Sequence, residues 1–124
     1  MTDRELLELA AKAAGIKFSE IGGGARYAPQ PGIMQPYVPW NPLTDDGDAL
    51  RLAVKLGLHA RQFPILDDVF VSSLGMVEVW RVDDDDPLHV EFLRSGEDRL
   101  AATRRAIVRA AAEIGKGVSI NRMA

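Results

Sequence analysis

The chain has 124 residues, 47% hydrophobic and 27% charged, which is enough for one domain with a buried core and excludes wholesale disorder. It has no cysteine, which excludes disulfide frameworks, thiolate metal sites and cysteine nucleophiles, and its net charge of -3 offers no global attraction to nucleic-acid phosphates. No run approaches the roughly 20 apolar residues of a bilayer-spanning helix, and the charged start Met1-Thr2-Asp3-Arg4-Glu5 lacks the apolar stretch of a signal peptide, so a cytoplasmic protein is expected.

Thr2 and Glu5 have the spacing of a capping box, which predicts a helix from Thr2 to Gly15 with Leu6, Leu9, Ala10 and Ala13 on its apolar face. From Ile16 to Ile21 the pattern alternates, Ile16, Phe18 and Glu20 against Lys17, Ser19 and Ile21, as a weak strand that Gly22-Gly23-Gly24 breaks. Five of the seven prolines follow at positions 29, 31, 36, 39 and 42, and that density forbids a regular helix. Residues 28–39 therefore read as an extended loop, returning as an edge strand near Tyr37 and Trp40.

Thr44, Asp45 and Asp46 can accept from the open N–H groups of a second helix, with Leu50, Val54 and either Leu52 or Leu56 as its apolar stripe and Gly57 as its stop. Residues 58–68 look mixed, and turn-like around Pro64 and Asp67-Asp68. Val69-Phe70-Val71, a turn at Ser72 to Gly75, and Met76 to Val82 read as a tight hairpin, with Val77 and Val79 on one face and Met76, Trp80 and Val82 on the other. Apolar groups on both faces predict a strand covered on both sides. After the acidic turn Asp83 to Asp86, residues 88–92 form a third strand in which His89 and Glu91 oppose Leu88, Val90 and Phe92. Ser95, Gly96 and Asp98 start the final helix, with Leu100, Ile107, Ala111 and Ile114 inward, Arg104, Arg105 and Arg109 on the wetter side, Gly115 and Gly117 at its end, and a frayed tail over 116–124. The chain is thus a single domain, 1–124, of the α+β class.

Several groups invite a chemical reading. Asp45, Asp46 and Asp48 can offer oxygens to a divalent cation, but the distal glutamate of an EF-hand loop is missing, and helix capping is the simpler role. The run Asp83-Asp84-Asp85-Asp86 reads as a solvated turn that also keeps the hairpin from pairing with other chains. His59 and His89 sit in no catalytic motif, and His89 is expected at a surface or on the second face of its strand. Ser72 and Ser73 lack the glycine context of a nucleophile elbow. Gly22-Gly23-Gly24-Ala25-Arg26 lacks the remainder of a phosphate-binding loop and reads as a hairpin turn. Arg99, Arg104, Arg105 and Arg109 lie beside Asp98 and Glu113, which favours a solvated face with intramolecular pairing over a phosphate-binding patch. Tyr27, Tyr37 and Trp40 flank a proline-stiffened loop and are the candidate partner-binding residues, Trp40 being equally placed to close one side of the core.

Two stretches carry a resemblance. Trp40-Asn41-Pro42-Leu43-Thr44-Asp45-Asp46-Gly47-Asp48, continued by Leu50 to Leu58, and Ala101-Ala102-Thr103-Arg104-Arg105-Ala106-Ile107-Val108-Arg109-Ala110-Ala111-Ala112-Glu113-Ile114-Gly115, together with the N-terminal helix, resemble the phage ABA sandwich domain, a family of small bacteriophage and prophage proteins. The resemblance spans about half the chain. It implies a three-layer α/β/α sandwich with a mainly antiparallel sheet, in the order α-β-β-α-β-β-β-α. Gly22 to Pro39 departs from it as a longer loop insertion, and Leu58 to Asp68 also looks individual. The family carries no assigned catalytic residues, so none are transferred, and no cofactor or metal is expected. The expected role is a non-enzymatic accessory protein that binds a protein partner, host-encoded or part of host defence. The alternatives are a small metal-dependent enzyme on nucleotides or nucleic acid using Asp45, Asp46, Asp48 and a histidine, and a weak nucleic-acid binder using the C-terminal arginines.

Overall fold

The computed structural model describes residues 1–16, 18–19, 26–27, 38–63, 75–94 and 96–123. In chain order these form α1 (Asp3–Ala14), β1 (Phe18–Ser19), β2 (Arg26–Tyr27), β3 (Val38–Pro39), α2 (Asp46–Leu56), β4 (Leu58–Phe63), β5 (Met76–Arg81), β6 (His89–Phe92) and α3 (Arg99–Met123). The protein is an α+β sandwich of three helices with a main antiparallel sheet ordered β4-β5-β6, beside a small antiparallel sheet ordered β1-β2-β3. Among the described residues no helix is long and apolar enough to cross a membrane.

Helix α1 starts where the capping box predicts. The Thr2 hydroxyl accepts from the Glu5 N–H, and Gly15 ends the helix in the left-handed region at φ 70°. Helix α2 is closed in the same way, by the Asp45 carboxylate accepting from the Asp48 N–H and by Gly57 at φ 67°. Of its expected apolar stripe Leu52 is buried and Leu56 packs on the core, but the other two positions face out. Leu50 and Val54 are exposed, while Asp48, Ala49, Leu52 and Ala53 are buried, because the helix turns its small residues toward α3 and the sheet.

The segment after Gly57 goes beyond the sequence reading. Residues 58–63, mixed in pattern, form strand β4, paired with β5 from Leu58 opposite Arg81 to Phe63 opposite Met76, while the turn expected around Pro64 and Asp67-Asp68 lies outside the described residues. The partner that β5 was expected to find in Val69 to Val71 lies outside the described residues, as do Ser72, Ser73, Gly22 to Gly24 and Tyr37. The order therefore has three short strands rather than two between α1 and α2, and β4 is the first of the later three. The edge strand expected near Trp40 is β3, paired with β2.

Strands β4, β5 and β6 share one inward face. Paired residues project to the same side of an antiparallel sheet, so Ala60, Val79 and His89 form one row and Gln62, Val77 and Glu91 the next. Helix α3 packs across all three strands on this side. The opposite face carries Met76, Glu78 and Trp80, all half-buried, so the two-sided burial expected for β5 is complete only on the Val77 and Val79 side. Val82 lies past the end of the strand and is exposed.

The last helix also differs from expectation. It continues through Gly115 and Gly117 to Met123, and Leu100 in its first turn is exposed rather than inward. Gly115 serves packing: a Cβ built there falls 2.0 Å from the Leu9 carbonyl oxygen, so only a hydrogen lets α1 and α3 approach this closely. The seam is continued by the buried alanines Ala10, Ala11 and Ala14 of α1 and Ala110, Ala111 and Ala112 of α3. Nothing lies within 4 Å of a Cβ at Gly117. Gly115→Ala is expected to destabilise the protein by about 2–3 kcal/mol through overpacking against backbone, whereas Gly117→Ala gains up to about 1 kcal/mol of helix propensity. Thermal or urea unfolding of the two variants reads the opposite signs directly.

Candidate functional site

The tryptophan-led motif folds into a closed hydrogen-bonded unit at the start of α2. The Asn41 N–H donates to Asp48 Oδ2 at 2.9 Å, Asn41 Oδ1 accepts from the Leu43 N–H at 3.0 Å, and the Asn41 carbonyl accepts from the Thr44 and Asp45 N–H groups. Asp48 Oδ1 accepts from Arg51 at 2.7 Å. Asp46 turns away to pair with Arg104 Nη1 at 2.6 Å, while Arg104 Nε donates to the Leu43 carbonyl at 2.9 Å and so ties α3 to the start of α2. Asp45, Asp46 and Asp48 are thus directed to three different tasks, and among the described residues no group of three or more histidine, aspartate or glutamate side chains is placed to hold a metal ion. Capping, the simpler role expected for this cluster, is seen at Asp45, and ion pairing occupies Asp46 and Asp48.

Trp40 is 3% exposed and packs in the main core. Of its two expected roles the packing supports the core-closing one, since a side chain so enclosed presents no surface to a partner. Tyr27 lies in β2, its backbone paired with Phe18 and Val38, and Tyr37 lies outside the described residues.

Strand β6 holds the least expected arrangement. His89 and Glu91 face α3, and Val90 and Phe92 take the outer face, the reverse of the usual apolar-in pattern. Glu91 is 5% exposed and collects three cationic or N–H donors: His89 Nε2 at 2.7 Å, Arg105 Nε at 2.8 Å, and Arg109 Nη1 at 2.8 and 2.9 Å from its two oxygens. Arg105 also donates to Glu97 Oε2, and the Arg94 backbone N–H donates to Glu97 Oε1 at 3.0 Å. Arg105 Nη2 is buried without a hydrogen-bond partner. The intramolecular pairing expected of the arginines is present, but Arg104, Arg105 and Arg109 are only partly exposed and pair with Asp46, Glu91 and Glu97, while His89, on the face opposite Val90 as expected, pairs with Glu91 of its own strand.

Burial alone pushes the Glu91 carboxyl up, but the hydrogen bonds from His89, Arg105 and Arg109 outweigh it and hold the group below the ordinary value of 4.5. The Arg105 hydrogen bond, helped by the Arg94 N–H, lowers Glu97 to about 2. Glu97, followed by Glu91, raises the Arg105 guanidinium above its usual value against the opposing effect of burial. Glu91 is thus ionised at neutral pH with its acceptor positions engaged. That suits a structural anchor between β6 and α3 and not a general base, which needs an open lone pair within reach of a substrate proton.

With the polar pair turned inward, the outer face of the sheet receives the apolar side chains. Phe92 is 66% exposed, its register partner Met76 is half-buried, and Val90 stands beside Glu78. Trp80 stacks on His59 of β4 with ring centroids 6.5 Å apart and planes at 20°, and its indole N–H donates to Glu78 Oε1 at 3.2 Å. Arg61, opposite Glu78 on β4, adds an exposed cation to the rim. This face joins Trp80, Met76, Val90 and Phe92 into an amphipathic surface on a rigid sheet. The sequence reading missed it because it weighed each apolar residue of β5 and β6 as core. Comparison with protein-family models, with curated proteins and with solved structures finds no match to this chain.

Glu91→Gln removes the charge that both arginines share. It is expected to destabilise the fold by about 3 kcal/mol, the scale for breaking a buried pair by removing one partner, while Glu8→Gln at the exposed Arg4 pair costs under about 1 kcal/mol. Because Glu91 and Glu97 titrate lower in the folded state than unfolded, their contribution is complete above pH 4.5 and is lost on the acid side of it, for Glu97 as pH falls through about 2. Urea denaturation as a function of pH is expected to show that acid-side loss in the wild type and a shallower one in a Glu91→Gln, Glu97→Gln variant.

Proposed function

We propose that this protein is a small non-enzymatic protein-binding module, an accessory protein of bacteriophage or prophage type as the resemblance of its two motifs implies, whose partner is a host-encoded protein. The observation that carries the reading is the outer face of the main sheet, where Phe92 stands 66% exposed opposite half-buried Met76, with half-buried Val90 and Trp80 further along the same face. Aromatic side chains on a rigid scaffold lose little entropy on contact and supply most of the energy in many protein interfaces. The rim formed by Arg61, Glu78 and His59 adds the mixed polarity typical of such surfaces. The ionisable groups nearest to this sheet support the same reading, because Glu91, Arg105 and Arg109 are spent on one another.

Trp80 and Phe92 therefore replace Trp40 as the anchors expected to meet a partner, while Tyr27 and Tyr37 stay proposals on the sequence reading alone. Immobilised protein is expected to retain a specific component of a bacterial host lysate. Trp80→Ala, on the central strand, should weaken that retention by roughly 30-fold, the effect of losing an aromatic hot spot of about 2 kcal/mol. Leu50→Asp, on the exposed side of α2, should leave it unchanged. Equal retention by wild type, Trp80→Ala and Phe92→Asp would remove this face as the binding surface.

A further inference from the structure

The edge formed by β6 has features that go beyond a general binding face. Among the described residues β6 pairs with β5 alone. The Leu93 N–H donates to the Gly75 carbonyl at 3.1 Å, and alternation along an antiparallel ladder then points the main-chain groups of Glu91 and His89 at β5 and those of Val90 and Phe92 away from it. At the start of the strand the Leu88 N–H donates to the Val79 carbonyl at 2.8 Å, so that two residues, Leu88 and His89, face Val79 in a bulge. The outward backbone groups are therefore centred on Val90.

We propose that β6 is a self-association edge, and that two copies of this chain pair their β6 strands antiparallel about a two-fold axis at Val90, joining two three-stranded sheets into one of six strands. The charges select this partner and this register. With Val90 opposite itself, its N–H and C=O make a reciprocal pair of hydrogen bonds with the other copy. On the helix side each His89 falls opposite the other copy's Glu91, and no like charges are opposed. Beyond the strand, Arg94 reaches the acidic turn Asp83 to Asp86 of the other copy, and the symmetry repeats that contact at the far end.

The four aspartates and Arg94 are exposed, and although Arg94 lies close enough to Glu97 to favour its ionised form, among the described residues neither Arg94 nor the aspartates make a salt bridge, so both ends of the edge present charge at the surface. Arg105 and Arg109, on the helix above the edge, bring no net repulsion because Glu91 and Glu97 already neutralise them. Parallel pairing, or an antiparallel slip that overlaps the two turns, sets aspartate against aspartate. The turn expected to keep other chains away is then better understood as permitting one register and opposing the rest.

Sedimentation equilibrium on the full chain tests this. The wild type is expected to reach twice the chain mass as concentration rises, with the dissociation constant increasing as salt is added. Val90→Pro removes an outward N–H that β5 does not use, and is expected to give a monomer with an unchanged circular dichroism spectrum. Should that variant unfold, charge reversal carries the test. Arg94→Glu alone, or Asp84→Lys, Asp85→Lys, Asp86→Lys together, should weaken self-association by about tenfold or more, and an equimolar mixture of the two variants should recover a mixed dimer, in which both ends are again opposite in charge. A wild type that stays monomeric at every concentration, or a dimer indifferent to Val90→Pro and to both charge reversals, overturns the proposal. The readout is mass, so it stands or falls separately from partner retention through Trp80.

Discussion

The carboxylate of Glu91, set between β6 and the arginines of α3, dictates which way the strand faces and thereby what the protein shows to its surroundings. Two guanidinium groups one helical turn apart on α3 need a counter-charge, and Glu91 lies within hydrogen-bond reach of both. Turning β6 over would bury Val90 and Phe92, each worth about 1.5–3 kcal/mol. It would also strand Arg105 and Arg109 against the sheet and push Glu91 into the open. An uncompensated buried ion costs several kcal/mol, so the two arginines outweigh the two apolar side chains. The observed strand, polar inward and apolar outward, follows from that inequality.

A second constraint is the closeness of α1 and α3. Small residues along the seam, with Gly115 against the Leu9 backbone, let the two helices pack nearly backbone to backbone. The same alanine-rich stretch therefore has two faces with different work, one steric toward α1 and one electrostatic toward β6. Arg104 adds a third connection, to the Leu43 carbonyl and Asp46, so that the start of α2 is registered on α3 as well. The stretch from Trp40 to Asp48 and the stretch from Ala101 to Gly115 are thus in contact with each other, and these side chains hold the scaffold together.

This division explains why so little of the candidate site could be read in advance. Thr2, Gly15, Asp45 and Gly57 act through neighbours three or four residues away, and their spacing alone identifies the helix ends they make. The outer sheet face depends on pairings such as His59 with Trp80 and Met76 with Phe92, which join separate strands. His89 and Glu91 lie two apart on a strand and so share a face, and Arg105 and Arg109 lie four apart on a helix. Those two spacings were a usable signal that a charged strand face would meet a charged helix face. The apolar alternation of Leu88, Val90 and Phe92 points the other way, since by hydrophobicity alone those side chains would turn inward.

By itself the chain determined the α+β class, the start and stop of α1 and α2, and the existence of β5, β6 and α3, because caps, left-handed glycines and short-range periodicity are local properties of a polypeptide. Which side of each element faces inward was decided by the tertiary structure. Leu50 and Val54 lost the core to Ala49 and Ala53, residues 58–63 became a strand by pairing with β5, and Gly115 became a contact point instead of a helix end. In each case the deciding partner is remote in sequence, and the energy that settles the choice, whether steric exclusion, strand pairing or charge neutralisation, exists only once that partner has arrived.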